Sequence, residues 1–317
     1  MHTDYQFAIP DTHNFEQIIT KAVMAASKKG PVRAAVAVPS DIKTLKAFVS
    51  AVEKGLVEPY LVGDERLARK NADENGVNID TARFININEP DMAVRMAMKM
   101  SAAGEIDLLI NGRVPAVIFL KQLVEKEASF VTKGNTISHV GVMKLALYKK
   151  LLLISDAAVN TEPNLKTKLA IIANAIRVAS LIGIDMPRVA IIAAVEIVHP
   201  QMPVTMDAAI ISKMADRKQI EGAHVDGPLS FDVAVDMFAA HSKGIKDSMV
   251  AGQADILLAP DIATANGVYR AMSLYGNASM GGIIVGGKVP VVLNSRSDSV
   301  DSRFNSIALG VLAASCG

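Results

Sequence analysis

Residues 281–299 read GGIIVGGKVPVVLNSRSDS, and this stretch decides the fold class. An apolar run, Val289–Leu293, leads directly into a polar turn, Asn294–Ser299, and a segment with the apolar spacing of a helix follows. A short buried strand that feeds a helix in this way is typical of α/β folds. Because ligands of open parallel sheets bind beyond the carboxyl ends of the strands, the turn is a candidate ligand site.

The residue types in this turn suit a phosphate group. A helix N-terminus offers free backbone N–H groups and a partial positive charge, and Arg296 adds a planar fork of donors that matches phosphate oxygens. Ser295 and Ser297 supply hydroxyl groups, and Asp298 or Asp301 could accept a proton. The alternative is a helix cap beside one surface arginine, and these residues alone leave both interpretations open.

Short apolar runs alternate with longer amphipathic segments along the rest of the chain, which predicts an α/β fold with a mostly parallel sheet. Met92, Met96 and Met100, at a spacing of four, are predicted to pack into the core. The predicted strands are Ala34–Val38, Pro59–Val62, Arg83–Ile87, Leu108–Ile110, Lys150–Ile154, Val189–Val195, Ile256–Leu258, Gly282–Val285 and Val289–Leu293. The predicted helices include Asp41–Lys54, Asp91–Ala102, Leu165–Ile182, Thr205–Arg217 and Phe231–His241.

Polar residues follow two other predicted strands. Asp156 and Asn160 come directly after the strand that ends at Ile154, and Asn266 follows the strand that ends at Leu258. These side chains are expected to line a cleft at the strand ends. Asp and Asn also favour caps and turns for purely local reasons, which is the alternative.

An Asp-Gly-Pro sequence at Asp226 and Gly227 is predicted to form a turn before the next helix. Such turns are mostly structural, but the neighbouring polar residues make this one a candidate for ligand contact. Lys243, beyond that helix, could meet a phosphate, or could simply interact with the helix dipole.

The composition narrows the class of protein. The chain has 317 residues, and its 33 basic and 32 acidic side chains give a net charge of +1, without the basic blocks of a nucleic-acid-binding protein. The single cysteine fits a reducing compartment. The first residues lack a signal-peptide pattern and no apolar run could span a bilayer, so a soluble, cytoplasmic protein without a membrane partner is expected. Phosphate-loop and dinucleotide glycine motifs and paired zinc ligands are missing, so no metal site is predicted.

Two interruptions of the periodicity are candidate domain boundaries. They lie at residues 132–139 and in the glycine-rich run at 276–287. If both are hinges, residues 1–135 plus 286–317 form one discontinuous α/β domain, and residues 136–285 form an inserted α/β domain.

Many stretches together resemble one family, the phosphate acetyl/butyryltransferases, and most closely its butyryltransferase branch. The similarity covers some 250 residues in one order, so no single motif carries it. The similar stretches are Val62-Gly-Asp, Ile137-Ser-His-Val, Ile154-Ser-Asp-Ala-Ala-Val-Asn-Thr-Glu-Pro, Ala194-Val-Glu-Ile-Val, Met202-Pro-Val-Thr-Met-Asp-Ala-Ala, Val225-Asp-Gly-Pro-Leu, His241-Ser-Lys-Gly-Ile, Val250-Ala-Gly-Gln-Ala-Asp-Ile-Leu-Leu-Ala-Pro and Leu293-Asn-Ser-Arg-Ser-Asp-Ser.

The resemblance implies two α/β domains with mostly parallel sheets and an active-site cleft between them. It implies the reaction acyl-CoA + phosphate ⇌ acyl phosphate + CoA, with coenzyme A as a substrate and no tightly bound cofactor. A homodimer or larger homo-oligomer is implied as well. The substrate-binding residues drawn from the strand ends and the similar stretches are Ser138, His139, Asp156, Asn160, Asp226, Gly227, Lys243, Asn266 and Gly282.

The resemblance also implies the catalytic group. The family's Ser-Arg pair after the last strand matches Ser295 and Arg296, and its acidic proton acceptor follows a few positions later. An ungapped match places Ser302 there, beside Asp301, so Asp298 and Asp301 both stay candidates for this base. A second departure from the family pattern is Asn111-Gly112, where relatives commonly have Lys-Gly.

The alternatives are a phosphate acetyltransferase, a non-catalytic protein that binds CoA or acyl phosphate, and an NAD-linked dehydrogenase of related architecture. The missing glycine fingerprint counts against the dehydrogenase. The retained Ser295-Arg296 pair counts against the non-catalytic protein.

Overall fold

The computed structural model describes residues 14–125 and 129–316, and within them the strands form one eleven-stranded sheet. The strands are β1 (Val32–Ala37), β2 (Val57–Gly63), β3 (Arg83–Asn86), β4 (Leu108–Asn111), β5 (Ser138–Lys144), β6 (Leu151–Ser155), β7 (Arg188–Ile192), β8 (His224–Leu229), β9 (Ile256–Leu258), β10 (Ser279–Val285) and β11 (Val291–Val292). The helices are α1 (Phe15–Lys29), α2 (Ile42–Glu53), α3 (Glu65–Glu74), α4 (Pro90–Ala103), α5 (Ala116–Val124), α6 (Leu165–Ile182), α7 (Pro203–Asp216), α8 (Phe231–Val235), α9 (Met237–Ser242), α10 (Ile262–Tyr275) and α11 (Val300–Ser315).

The sheet contains two parallel groups of strands joined by antiparallel pairs. Its order is β3-β2-β1-β4-β11-β10-β5-β6-β9-β7-β8. The first five strands are mutually parallel, and so are the last four. The strands β10 and β5 pair antiparallel with each other and with their outer neighbours. The predicted α/β class with a mostly parallel sheet is confirmed.

The predicted domain division remains a prediction. One parallel group takes its strands from residues 32–111 and 291–292, and the other takes its strands from residues 151–258. The sheet itself runs without a break through β10 and β5. Residues 1–13, 126–128 and 317, which belong to the proposed discontinuous domain, lie outside the described residues, as does the segment judged to lack a signal peptide.

Three local predictions were wrong. Asp226-Gly-Pro is part of strand β8 rather than a turn, because β8 is the edge strand and an edge position tolerates a proline without an N–H donor. The helix predicted at 231–241 is two short helices, since Asp236 has an extended backbone and caps α9. Met92 and Met96 are 58% and 37% exposed, so of the predicted methionines only Met100 packs into the core, on a face of α4 that includes Ala93 and Ala97.

The last helix lies deep in the structure and positions the candidate site. All of its residues from Asn305 to Ala313 are buried, and it packs against β10, α1 and α2. Ser299 caps its N-terminus by accepting a hydrogen bond from the N–H of Ser302 at 3.0 Å. The short strand β11 therefore leads into the turn at 294–299, and the turn leads directly into this buried helix.

Candidate active site

A cavity of about 460 Å³ lies where the two parallel groups of strands meet, and we call it the central cavity. The loops that follow β6 and β11 line it, together with β5, β10, the start of α5 and the first two-thirds of α10. One part of its wall is apolar and consists largely of small residues, and the other part is polar. Its lining comprises Ala116, Ala157, Ala158, Ile262, Ala263, Tyr269, Gly282 and Leu293, with the polar residues His139, Asn266, Arg270, Asn294, Ser295 and Asp298.

The turn after β11 is held by its own hydrogen bonds. The N–H of Ser295 donates to Asp298 Oδ2 at 2.7 Å, and the N–H of Asp298 donates back to the Ser295 carbonyl at 3.1 Å. The buried guanidinium of Arg303 donates to the same carbonyl at 2.9 Å. The hydroxyls of Ser295 and Ser297 are 3.1 Å apart. The turn is therefore preorganised, which a site that stabilises transient charge requires.

Arg270 was missed by the sequence analysis, although it lines the central cavity. Its Nη1 lies 2.9 Å from Asp298 Oδ1, and the Asp298 side chain is only 8% exposed. Both oxygens of Asp298 thus accept one hydrogen bond each, from Arg270 and from the backbone of Ser295. Asn266 and Arg270 are four residues apart on α10, so helical spacing from Asn266 was the signal that could have found Arg270.

Asp156 and Asn160 build the loop beside the cavity without lining it. The buried Asp156 carboxylate accepts hydrogen bonds from the backbone N–H groups of His139, Ala158 and Asn160, at 3.0–3.1 Å. The Asn160 amide donates to Asp156 Oδ2 at 2.6 Å. Asn266, by contrast, lines the cavity and donates to the Ala157 carbonyl at 3.0 Å.

His139 is 5% exposed and forms part of the cavity wall. Burial lowers the pKa of its imidazole, an effect to which the charge of Arg270 adds and which the carboxylates of Asp156 and Asp298 oppose. The ring meets Tyr269 edge-on, with 5.8 Å between centroids. Gly282 lies so close that a Cβ on it would be 2.6 Å from His139 Nε2, so only glycine leaves the ring in place.

A second cavity of about 650 Å³, which we call the cationic cavity, lies at the carboxyl ends of β1, β4 and β11. It shares Asn294 with the central cavity and is lined by Lys43, Arg113, Arg296 and Arg303. Within the described ranges 14–125 and 129–316, no ion pair or hydrogen bond engages the exposed guanidinium of Arg296. Arg296 is therefore free to meet an anionic ligand, and Arg113 lies in the same cavity near the departure at Asn111-Gly112.

The remaining predicted residues lie in neither cavity. Ser138 is buried and accepts a hydrogen bond from Asn174 at 2.9 Å, and Asp301 is exposed on the first turn of α11. Asp226 accepts hydrogen bonds from the hydroxyl of Ser248 and from the backbone of Gly227. Lys243 forms ion pairs of 3.1 Å with Glu196 and with Asp232. The structure thus brings together Ser295, Asp298, His139, Asn266 and Gly282, with Arg296 in the adjoining cavity.

The described residues contain no group of three His, Cys, Asp or Glu side chains arranged to hold a metal ion. None of the helices described between residues 14 and 316 is long and apolar enough to cross a membrane.

Comparison with known proteins identifies relatives over nearly the whole chain. The chain is 39% identical over 301 residues to a phosphate butyryltransferase of Clostridium beijerinckii, which covers 95% of this chain and 98% of the relative. It is 38% identical over 296 residues to a phosphate acetyltransferase of Thermotoga maritima, which covers 93% and 99%. A branched-chain phosphotransacylase structure from Enterococcus faecalis superposes with a TM-score of 0.76 at 29% identity, covering 89% of this chain and 99% of that one.

The family model described as "Phosphate acetyl/butaryl transferase" matches residues 88–311. This range contains all the residues that line the central cavity, together with the turn at 294–299. The chain belongs to the phosphate acetyl/butaryl transferase family.

Proposed function

We propose that this enzyme interconverts a short-chain acyl-CoA and phosphate with an acyl phosphate and CoA. The observation that carries the proposal is the position of the turn at 294–299 between the two cavities. Ser295 and Asp298 line the small, partly apolar central cavity, and Arg296 lines the cationic one. An acyl group fits the first environment, and phosphate groups fit the second.

The proposed mechanism is direct transfer within a ternary complex. In the direction of acyl-CoA synthesis, a carboxylate takes the thiol proton of CoA, because a free thiol with a pKa of about 8.5 is mostly protonated at neutral pH. Asp298 is favoured over Asp301 for this role, since Asp298 lines the central cavity. Arg296 neutralises the charge of the phosphoryl group as it leaves, and Ser295 contributes a hydroxyl donor. No cofactor is needed beyond CoA as a substrate.

Release of free thiol from acyl-CoAs, with and without phosphate, tests the reaction directly. We expect phosphate-dependent release, with the highest kcat/KM for four-carbon acyl groups, because Ala157, Ala158 and Ala263 leave room along the apolar wall. Each methylene is worth about 1–3 kcal/mol of discrimination, so the kcat/KM values for butyryl-CoA and acetyl-CoA should differ clearly. A preference for acetyl-CoA would identify a phosphate acetyltransferase instead. Binding of CoA without any phosphate-dependent release, in folded protein, would indicate a non-catalytic binding protein.

We also propose that the enzyme is cytoplasmic and forms a homodimer or larger homo-oligomer. Two neighbouring helices, α4 and α5, support the second proposal, because they expose the apolar side chains of Met92, Met96, Val117, Ile118 and Val124. Apolar surface of this kind commonly marks a contact between subunits.

Light scattering is expected to give at least twice the chain mass of 33.6 kDa. Val117→Glu should shift the protein toward the monomer, because it places a charge in the proposed interface. Leu147→Glu, at an exposed site outside these helices, is the matched control and should leave the mass unchanged. A wild-type mass of 33.6 kDa would overturn the proposal.

A further inference from the structure

The imidazole of His139 is a buried polar group that lacks a hydrogen-bond partner. Its Nδ1 is inaccessible and unpartnered among residues 14–125 and 129–316. The backbone on both sides of the ring is nevertheless fixed, because its N–H donates to Asp156 at 3.1 Å and its carbonyl accepts from Ser155 at 2.7 Å. An inaccessible Nδ1 cannot reach a bound molecule, so any hydrogen bond from the ring to a ligand in the cavity must be made by Nε2.

The surroundings of the ring favour one tautomer. A proton on Nδ1 would leave a buried N–H donor without an acceptor, which is rarer and more costly than an unused acceptor lone pair. The proton therefore belongs on Nε2. That nitrogen lies beside Gly282, which lines the central cavity. Because glycine has no side chain, nothing on residue 282 separates Nε2 from the cavity. The Nε2–H group is thus a donor at the cavity wall.

The buried environment of the ring also favours its neutral form. Burial lowers the pKa of the imidazole, and the charged groups that face it are Asp156 from the loop after β6, Asp298 from the turn after β11 and Arg270 from α10. Tyr269, also from α10, presents a ring edge rather than a charge. A neutral imidazole can polarise a carbonyl group as a hydrogen-bond donor without itself giving up the proton.

We infer that His139 donates a hydrogen bond from Nε2–H to the acyl carbonyl oxygen and stabilises the oxyanion of the tetrahedral intermediate, a role that rests on the proposed acyl transfer. A phosphate oxygen forms a bond to the thioester carbon while the C=O π electrons move to oxygen. The carbonyl then re-forms, the C–S bond breaks, and the proton that hydrogen phosphate loses passes through Asp298 to the CoA sulfur, the reverse of the proton removal proposed for acyl-CoA synthesis. The imidazole keeps its proton throughout.

Two substitutions of similar size separate the donor from the shape of the ring. His139→Gln retains an N–H donor near the position of Nε2, whereas His139→Met fills the space without one. With butyryl-CoA and phosphate, we expect His139→Met to lower kcat by about 100- to 1,000-fold, the usual cost of losing one oxyanion donor. The kcat of His139→Gln should stay within about tenfold of the wild-type value. KM for phosphate should change little in either variant, because the ring does not bind the phosphoryl group.

The outcomes are distinct. Equal losses in both variants, or a His139→Met variant within about threefold of wild type, would overturn the inference while leaving the proposed function standing. A wild-type enzyme without phosphate-dependent thiol release would overturn the proposed function and this inference together. Nitrogen NMR of the wild-type protein gives a check that requires no variant to fold. At about pH 8 the ring of His139 should show the neutral Nε2–H tautomer, and the opposite tautomer would overturn the inference.

Discussion

Replacing Arg296 with alanine is expected to lower kcat for acyl transfer by about 100- to 1,000-fold and to raise KM for phosphate. The guanidinium is exposed in the cationic cavity, and no described residue forms a hydrogen bond or an ion pair with it. All of its donors are therefore available to a phosphoryl group, and charge-assisted hydrogen bonds to phosphate are among the strongest in proteins. Because the side chain forms no hydrogen bond or ion pair with the described residues and is exposed, the urea midpoint of unfolding should hardly change. Steady-state kinetics with varied phosphate measure both constants.

Two further variants refine this test. Arg296→Lys keeps the positive charge and loses the planar fork, so its kcat should fall between those of wild type and Arg296→Ala. Arg66→Ala removes an exposed arginine of α3 that lines neither the central nor the cationic cavity, and should leave the kinetics unchanged. If Arg296→Ala retained near-normal kcat and KM, the assignment of the phosphoryl group to this arginine would be wrong.

Arg303→Met is expected to lower the free energy of unfolding by about 3 kcal/mol, the lower end of the cost of breaking a buried ion pair. Arg303 is 2% exposed. Its guanidinium lies 3.3 Å from Asp41 and donates to Thr44 Oγ1 at 2.6 Å, as well as to the Ser295 carbonyl. The substitution leaves these groups without their partner. The expected loss is at the lower end because Asp41 is partly exposed and still caps α2.

Chemical denaturation of Arg33→Met supplies the matched comparison. Arg33 forms an even shorter ion pair, of 2.6 Å, with Asp107, but both side chains are more than a third exposed. Exposed pairs contribute about 0–1 kcal/mol, so Arg33→Met should unfold at nearly the wild-type urea concentration. Equal urea midpoints for the two variants would contradict the view that Arg303 is a structural anchor for the turn at 294–299.

The parts of the fold that depend on local pattern could be predicted from the sequence. The strand before Asn294, the polar turn and the helix after it are all present, because apolar periodicity and capping residues act within a few positions. Strands β5 and β8 were not predicted. Gly141 and His139 interrupt the apolar pattern of β5, and Asp226-Gly-Pro has the composition of a turn. Only the place of β8 at the sheet edge makes that composition acceptable in a strand.

The candidate site was predictable only in part, for a related reason. Ser295, Asp298, His139, Asn266 and Gly282 were named from strand ends and family resemblance, and they line one cavity. Arg270 and its ion pair with Asp298 were not predicted, because a contact between residues 28 positions apart depends on how α10 packs beside the turn. Likewise, nothing local in the sequence indicates that Arg303 reaches Asp41 across the fold.

The antiparallel centre of the sheet also constrains the order in which the protein can be completed during its synthesis. Strands β10 and β11 lie between β4 and β5, although they are translated more than 130 residues after both of these strands. In a ribosome-bound chain that has not yet reached residue 279, β4 and β5 therefore lack the strands that join them in the sheet. Residues 279–315 supply the joining strands and the helix that packs beside β10, so the turn at 294–299 belongs to the segment that completes the sheet.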